Sequence, residues 1–281
     1  APFGIVLVLD QFSILMVLVT SLLAFGALWY AISEGIDKKG AHFHPLFQLQ
    51  LFGLNGAFLT GDLFNLFVFF EILLLASYSL LLHAKGEGRV KAGLHYVVIN
   101  LVGSTLFLFA VGTLYGILGT LNIADLSQKV AHLSPENVSI VASAGLLLLI
   151  VFGLKAAMFP LYFWLPNAYG KTSAPVAALF AIMTKVGIYS IIRVHGTIFG
   201  QNANELAFYY TPWVLYIGLI TLVLATFGVL SSKELKTQIS YLVLLSVSII
   251  LIAIGINSKE ALSGAIFYMI HSTFVAGGFF L

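Results

Sequence analysis

The sequence predicts an all-α integral membrane protein, a bundle of many membrane-spanning helices. Of its 281 residues, 60% are hydrophobic and only 9% are charged, and the mean hydropathy is +1.05. A soluble domain carries about 25% charged residues, so this chain lacks the polar groups to cover a water-exposed surface. Its apolar runs are long and unbroken, whereas membrane β-strands would show segments of about ten residues with alternating hydrophobicity. The spans are therefore expected to be helices.

Composition also excludes several functional classes. The absence of cysteine rules out disulfides, thiolate metal sites and thiol nucleophiles, and a net charge of +2 is too small to indicate a nucleic-acid partner. We find no phosphate-binding glycine loop, metal-ligand cluster or redox-cofactor motif, so no cofactor and no metal are expected. The chain begins without a cleavable signal pattern and stops at Leu281 within an apolar run. We therefore expect residues 1–281 to form a single membrane domain that is a portion of a longer polypeptide.

Nine spans follow if each crossing takes about 20 apolar residues. The predicted ranges are 4–32, 45–61, 62–83, 93–117, 139–168, 174–194, 212–230, 238–256 and 260–281. As one straight helix, the fifth span would be about 45 Å long, which exceeds a hydrocarbon core of about 30 Å. Pro160 lies within it, and its ring clashes with the carbonyl group of Ala156. These two facts predict a broken helix near Pro160.

Basic residues are concentrated in alternate loops. Of the thirteen Lys and Arg residues, two lie in the other loops, three lie in spans or at their ends, and eight lie in the loops 33–44, 84–92, 169–173 and 231–237. Because basic loops stay in the cytoplasm, this bias predicts that these four loops are cytoplasmic. The 118–138 loop then lies outside, and we expect it to form a short amphipathic helix.

Three charged residues, Glu71, Lys155 and Lys185, lie inside predicted spans, and each is near the middle. An ionised group there costs at least about 3 kcal/mol, so each should face protein or water and have a partner. One carboxylate and two ammonium groups cannot all pair. Either one lysine is neutral, or its counter-charge comes from missing chain or another subunit. A carboxylate that moves would switch a neighbouring lysine between holding and releasing its proton, which describes a proton relay.

Structural alternatives stay open for these residues. Glu71 and Lys155 could form a fixed ion pair that only ties two helices together, and Lys185 could be a structural lysine. His271 is a further candidate for proton passage, because imidazole exchanges protons near neutral pH. Asp10 and Asp62 are at span ends, where we expect them to be solvated or to cap helices. Arg193 and His195 are expected to lie at the membrane–water interface, at the end of the span that begins at residue 174.

Three stretches of sequence point to a known family. Residues 57–78, which include Glu71, resemble the glutamate-bearing helix of the antiporter-like membrane subunits. Residues 153–166 resemble the lysine-bearing broken helix of these subunits, and residues 173–189 resemble the next helix, which carries a second lysine. Such subunits occur in Mrp-type cation/proton antiporters, in respiratory complex I and in membrane-bound hydrogenases. The first stretch, together with residues 94–100, is most similar to the D subunits of Mrp antiporters.

The resemblance implies a fold of two inverted repeats of five helices, each with one broken helix. Residues 45–198 would form the first repeat, and residues 212–281 would form part of the second. It also assigns the proton relay to four residues of this chain. These are the family glutamate, the broken-helix lysine, the lysine of the following helix and a histidine that leads into the polar axis of the second half, here Glu71, Lys155, Lys185 and His271. Some relatives carry a lysine four residues after that histidine, where this chain has Val275.

By this resemblance, the chain is expected to be a proton-translocating subunit of a multisubunit Na⁺/H⁺ antiporter. It would be a multi-pass protein of a prokaryotic plasma membrane, surrounded by lipid, with the other antiporter subunits as partners. It would act as a secondary transporter subunit for protons and Na⁺ and not as an enzyme. Two alternatives remain, namely an ion-pumping membrane subunit of a complex I-like oxidoreductase or hydrogenase, and a membrane scaffold without transport activity.

Overall fold

The structure is a computed structural model that describes residues 5–83 and 87–281. Long apolar helices make up most of this part of the chain. This confirms the predicted all-α class. Within these ranges the α-helices are α1 Gln11–Ser33, α2 Phe43–Leu59, α3 Leu63–Leu82, α4 Glu87–Leu118, α5 Ile123–Val130, α6 Pro135–Ala156, α7 Trp164–Lys171, α8 Ala174–Phe180, α9 Met183–Ser190, α10 Gly196–Ile198, α11 Thr211–Ser231, α12 Leu235–Ile256 and α13 Lys259–Phe280. Short 3₁₀ turns cover Ile36–Lys39 and Asn204–Leu206.

Eight helical segments of the described chain are long and apolar enough to cross a membrane. The protein is therefore a multi-pass membrane protein. Nine spans were predicted, and the difference lies in the range 45–61. That range forms α2, which has 17 residues and is shorter than the other eight. Its length is about 25 Å at 1.5 Å per residue, somewhat less than the thickness of a hydrocarbon core.

The helix that was expected to break near Pro160 is broken. Helix α6 ends at Ala156, Ala157 takes a left-handed conformation with φ of +62°, and the chain turns before α7 begins at Trp164. The break frees carbonyl groups that need partners in a membrane. One of them, the carbonyl of Leu154, accepts a hydrogen bond of 3.1 Å from the indole nitrogen of Trp164. The side chains at the break thus replace part of the lost helical bonding.

The most buried span of the bundle is the segment Ala174–Ile198, whose apolar stretch is 94% buried inside the protein. The sequence predicts one continuous span over 174–194, but the structure interrupts it twice. A turn at Ala181 and Ile182 separates α8 from α9, and a π-helical turn covers Ile191–His195. No proline or glycine is present at either place, so the interruptions come from tertiary packing.

Three of the predicted cytoplasmic loops meet at one end of the bundle. Arg89 Nε donates a hydrogen bond of 2.9 Å to the carbonyl of Lys171, and Lys171 Nζ lies 3.1 Å from a carboxylate oxygen of Glu234. At the opposite end, Asp62 caps α3 by accepting a bond of 2.9 Å from the backbone amide of Asn65, as predicted. The arrangement agrees with the alternation of basic and non-basic loops.

The amphipathic helix predicted in the 118–138 loop is confirmed as α5. Its buried residues are Ile123, Leu126 and Val130. On its other face, Lys129 Nζ donates a bond of 2.8 Å to the carbonyl of Leu118 at the end of α4. A lysine in this position satisfies a carbonyl that the end of α4 leaves unpaired. The helix therefore packs on the bundle and closes one end of α4.

Asp10 joins the start of α1 to the π-helical turn. Its two carboxylate oxygens accept bonds of 2.6 and 2.7 Å from the guanidinium group of Arg193, and Oδ1 also caps α1 through the amide of Ser13. The bonded Arg193 guanidinium holds the pKa of Asp10 well below its usual range. The prediction that Asp10 caps a helix is confirmed. The ring of His195 is fully buried within the protein, and its position at the interface end of the span stays a prediction.

Replacing Asp10 with asparagine should lower the free energy of unfolding of the subunit by about 1 kcal/mol or less, because the ion pair is half exposed. Asparagine keeps the helix cap, and Asp10→Ala should cost about 1 kcal/mol more. Because the pKa of Asp10 is depressed in the folded protein, its ion pair with Arg193 contributes to stability at any pH above the unfolded pKa of about 3.9. This stabilisation is lost only as the pH falls through the lower pKa of the folded state. The melting temperature of the solubilised protein, measured from pH 5 to pH 9, should therefore show a constant deficit. A deficit that disappears at pH 5 would contradict this assignment.

Candidate functional site

Helix α4 carries three buried polar residues at intervals of four, Tyr96, Asn100 and Ser104. This spacing places them above one another on a single helix face. The face is turned towards α3 and α6, the helices that hold Glu71 and Lys155. In an otherwise apolar span, such a row of polar groups needs partners. Each of the three side chains has one.

Glu71 is bound by Ser104, the last member of this row along α4. Ser104 Oγ donates a hydrogen bond to Glu71 Oε1, and the same hydroxyl lies 3.0 Å from the carbonyl oxygen of Asn100. Glu71 is half-buried near the middle of α3, as the sequence predicts for an intramembrane charge. The contact fixes one carboxylate oxygen and leaves the other free to bind water or another group.

Lys155 is held by the middle member of the row. Its Nζ donates a bond of 3.1 Å to Asn100 Oδ1, and the amide nitrogen of Asn100 donates a bond of 2.8 Å to the carbonyl of Tyr96. The ammonium group also lies 5.4 Å from the centre of the Phe70 ring, a cation–π distance. Lys155 stands in the last turn of α6, where the negative end of the helix dipole favours a cation. Its exposed fraction is 8%.

Glu71 and Lys155, both in the described part of the chain, form no ion pair within 4.0 Å. The direct ion pair that the sequence left open as an alternative is therefore not what the structure contains. Instead, Ser104 and Asn100 of α4 stand between the two charges. The two charged groups are thus linked through two neutral polar side chains of α4.

Lys185 is fully buried, with an exposed fraction of 0%. Its Nζ donates a bond of 3.0 Å to Ser246 Oγ of α12. Two residues further along, a Cβ atom on Gly187 would lie 2.4 Å from the backbone nitrogen of Ala156 and 2.8 Å from the carbonyl carbon of Lys155. Helix α9 thus packs directly on the backbone at the break in α6. The two lysines belong to helices in contact at that point.

A cavity of about 10 Å³ lies beside Lys155, which is room for about one water molecule. Asn100 and Tyr96 of α4 line it together with Lys155, and so do Met183 and Val186 of α9. The cavity therefore sits between the broken helix and the helix that carries Lys185. Lys155, Asn100 and Tyr96 are polar residues of its lining.

His271 lies on α13 and lines a larger cavity of about 160 Å³. Ser246, the partner of Lys185, lines the same cavity, as do Tyr268, Ser272 and Val275. His271 itself is exposed in this chain, and its ring stacks with that of Tyr268 at 6.0 Å. Lys185 and His271 are thus connected by one hydroxyl group and a space that can hold several waters.

The described residues contain no group of three or more His, Asp and Glu side chains arranged to hold a metal ion. The polar groups of the site are instead carboxylate, ammonium, amide, hydroxyl and imidazole. These groups can exchange protons or conduct them through hydrogen bonds. The site is suited to moving protons between buried positions.

Comparison with known families identifies the family of the chain. The family described as NADH:quinone oxidoreductase/Mrp antiporter, TM matches residues 60–281. The chain belongs to this family. Its membership confirms the resemblance seen in the sequence, including the similarity to Mrp antiporters. Because the family includes subunits of NADH:quinone oxidoreductase as well as of Mrp antiporters, the sequence alone left the redox alternative open.

Curated members of this family are similar over the whole chain. A protein of Rhizobium meliloti named as the probable D subunit of a K⁺/H⁺ antiporter is 50% identical over 281 residues, which cover 100% of this chain and 52% of that protein. The Na⁺/H⁺ antiporter D subunit of Bacillus subtilis is 38% identical over 283 residues, covering 100% of this chain and 56% of that protein. The chain therefore spans about half the length of these relatives.

A solved member of the Mrp group has the same fold. The structure of the Mrp complex from Dietzia sp. DQ12-45-1b contains a chain that matches with a TM-score of 0.89 and 33% identity. The match covers 99% of this chain and 51% of that one. The helical bundle is thus shared with a chain of the Mrp complex, and the predicted fold class is confirmed.

Within this Mrp-related chain, the four residues singled out from the sequence fall into two pairs. Glu71 and Lys155 are joined through α4, and Lys185 and His271 are joined through Ser246 and the larger cavity. No direct hydrogen bond between the two lysines is present in the described chain, and a water-sized cavity lies between their helices. Sequence reasoning missed Ser104, Tyr96 and Ser246. The interval of four residues in α4 was the available signal for the first two.

Proposed function

We propose that the chain is a proton-translocating subunit of a multisubunit Na⁺/H⁺ antiporter in a prokaryotic plasma membrane, working with the other subunits of that complex. The observation that carries the proposal is the row of polar groups that leads from Glu71 through the two buried lysines, Lys155 and Lys185, to the cavity lined by His271. The names of the similar proteins support it, since two of them are D subunits of antiporters. Residues 45–198 would be the first inverted repeat of the subunit and residues 212–281 part of the second.

In this proposal Glu71 controls the charge of Lys155. A buried ammonium group is destabilised by loss of water and stabilised by a nearby carboxylate. Release of Glu71 from Ser104 would move negative charge away from Lys155 and favour proton release. Its return would favour proton uptake. Asn100 would hold the amine in place in both states, because its amide oxygen accepts from the ammonium form and its amide nitrogen is already bonded to Tyr96.

The proton released by Lys155 would pass through a water in the cavity of about 10 Å³ towards the helix of Lys185. From Lys185 it would pass through Ser246 into the cavity of about 160 Å³. His271 at the wall of that cavity would be the next member of the path, because an imidazole ring can both donate and accept hydrogen bonds. The row therefore provides a lateral path along the middle of the bundle.

The transported cation has a second candidate, K⁺. The relative that is 50% identical is named for a probable K⁺/H⁺ antiporter, while the relative at 38% identity is named for Na⁺. Exchange by the complete complex in everted membrane vesicles, started with Na⁺ or with K⁺ and followed with a pH-sensitive dye, separates the two. Faster alkalinisation with K⁺ would replace Na⁺ in the proposal without changing the role of the proton relay.

The decisive experiment is the paired neutralisation of Glu71 and Lys155. In the variant Glu71→Gln/Lys155→Met, exchange should fall by about a hundredfold or more, because the relay loses both chargeable groups. A scaffold role predicts near-normal exchange, since removing both charges leaves no uncompensated ion. The assay is the same vesicle measurement, normalised to the amount of assembled complex.

A matched control is available on α5. Asp125 and Lys129 form an exposed pair at 3.6 Å, four residues apart, so the variant Asp125→Asn/Lys129→Met should leave the exchange rate unchanged. Full exchange in the Glu71/Lys155 double variant would refute the relay. Equal losses in both double variants would show that the assay reports protein damage.

A further inference from the structure

Beyond Lys155, the polar row of α4 continues towards the end of the bundle where α3 ends. The first member of the row along α4 is Tyr96, whose hydroxyl oxygen lies 2.7 Å from Ser77 Oγ of α3. Both side chains are buried, with exposed fractions of 2% and 0%. Ser77 Oγ also lies 2.9 Å from the carbonyl oxygen of Leu74. Two hydroxyl groups are thus in contact in the interior of a membrane protein.

Tyr96 reaches Lys155 through the small cavity. Tyr96, Asn100 and Lys155 all line the space of about 10 Å³, which has room for about one water. Such a water would contact the ammonium group on one side and the phenol hydroxyl on the other. The groups that can form a chain of hydrogen bonds are then, in spatial order, Lys155, the water, Tyr96 and Ser77. Each member can both accept and donate a hydrogen bond once Lys155 is neutral.

Aromatic rings also pack close to Lys155, and one of them, Phe70, lines the small cavity together with Tyr96 and Asn100. Phe70, Phe107 and Phe152 lie against each other with ring centres 5.7 to 6.2 Å apart. Phe107 is three residues beyond Ser104 on α4, and Phe152 is one helical turn before Lys155 on α6. Phenyl rings carry no group that can pass a proton. The polar side chains of α4 at the cavity, Tyr96 and Asn100, are the groups that can carry a proton to Lys155, and the Tyr96 contact with Ser77 leads towards the end where α3 finishes at Leu82.

We propose that Tyr96 and Ser77 are proton-transfer residues that connect Lys155 with that end of the bundle, which the loop charges predict to be cytoplasmic. This rests on the proposed function, because it supplies the lysine of the relay with protons. In each transfer the oxygen of Ser77 accepts a proton from water beyond it while its own proton passes to the oxygen of Tyr96. Tyr96 passes its proton to the cavity water, which gives a proton to neutral Lys155, so one proton moves and neither hydroxyl group keeps an extra charge. Ser77 lies about 7.5 Å along the helix axis from the end of α3.

The test uses Tyr96→Phe in the complete antiporter complex. The ring and its packing on Trp164 are kept, the bond from Asn100 goes to the backbone oxygen of Tyr96 and is kept, and Ser77 keeps its contact with Leu74. Only the hydroxyl is lost. We expect unchanged assembly and an exchange rate reduced by about a hundredfold. The control is Tyr209→Phe, which removes a half-buried hydroxyl bonded to the carbonyl of Ala142 at 2.9 Å and should leave exchange unchanged.

A second pair of variants separates proton transfer from packing. Ser77→Thr and Ser77→Val have side chains of the same shape, and only the threonine has a hydroxyl. We expect the threonine variant to exchange at least about tenfold faster than the valine variant. Equal rates in these two, full exchange in Tyr96→Phe, or an equal loss in Tyr209→Phe would each overturn the proposal.

Lys155→Ala is measured in parallel, so that the two proposals can fail separately. If Lys155→Ala exchanges at the normal rate, the relay itself is refuted. If Lys155→Ala is inactive while Tyr96→Phe and Ser77→Val are fully active, the relay stands and the assignment of Tyr96 and Ser77 is refuted.

Discussion

Replacing Lys155 with alanine is expected to abolish cation/proton exchange, with a loss of about a thousandfold or more, while the complex still assembles. The side chain lies at the point where Asn100, the water-sized cavity and the break in α6 meet. Its removal leaves the amide oxygen of Asn100 without a donor, which costs about 1–3 kcal/mol. Exchange in everted vesicles and the amount of assembled complex measure the two effects separately.

The variant Lys155→Arg distinguishes a proton carrier from a fixed positive charge. Arginine keeps the charge and the hydrogen-bond donors but cannot release a proton in a protein. We therefore expect Lys155→Arg to be as inactive as Lys155→Ala. Lys129→Arg is the matched control, because that lysine is half exposed and donates to the carbonyl of Leu118 at the surface of the bundle. If Lys155→Arg exchanged at the normal rate, a charge that never changes would be sufficient and the relay would be wrong.

Replacing Gly187 with alanine is expected to damage both the fold and the transport step. The added Cβ atom would lie 2.4 Å from the nitrogen of Ala156 and 2.7 Å from the carbonyl oxygen of Phe152, both backbone atoms of α6. Backbone cannot turn aside as a flexible side chain can, so α9 must move away from the break. Overpacking of this kind costs about 1–3 kcal/mol, and the movement would also separate Lys185 from the cavity beside Lys155.

The control for Gly187→Ala is Gly112→Ala on α4, where a Cβ atom would meet nothing within 4 Å. Alanine in an open position of a helix is more favourable than glycine by about 1 kcal/mol, so this variant should be as stable as the parent or more so. Melting temperature, yield of folded protein and exchange rate are compared for both. A Gly187→Ala variant with normal stability and exchange would show that the close approach of α9 to the break does not matter.

The break in α6 was predictable because a single residue causes it. Pro160 cannot continue a helix, and the span around it is too long for a bilayer. The charged residues were equally visible, since an intramembrane Glu or Lys is costly and stands out from an apolar background. The interruption at Ala181 and Ile182 had no such cause, because both residues are good helix formers or apolar core residues. It depends on the packing of the most buried segment, which a single sequence does not show.

The partners of the charged groups were the least predictable part. Nothing in the residues around Glu71 indicates that its carboxylate binds Ser104 of the next helix instead of the lysine of opposite charge. Likewise, Ser246 is one of several serines in α12, and only the fold shows that it faces Lys185. Hydrogen bonds between helices depend on rotation and depth, which composition and spacing leave undetermined. The regular spacing of Tyr96, Asn100 and Ser104 is the exception.

That spacing has a mechanical consequence. Ser104 binds the carboxylate and Asn100 binds the ammonium group, and both project from the same rigid helix four residues apart. A twist of α4 about its long axis would displace both contacts in the same instant and by nearly the same amount. The two charges of the site therefore share one degree of freedom, and a neighbouring subunit that turned α4 would act on both without touching either.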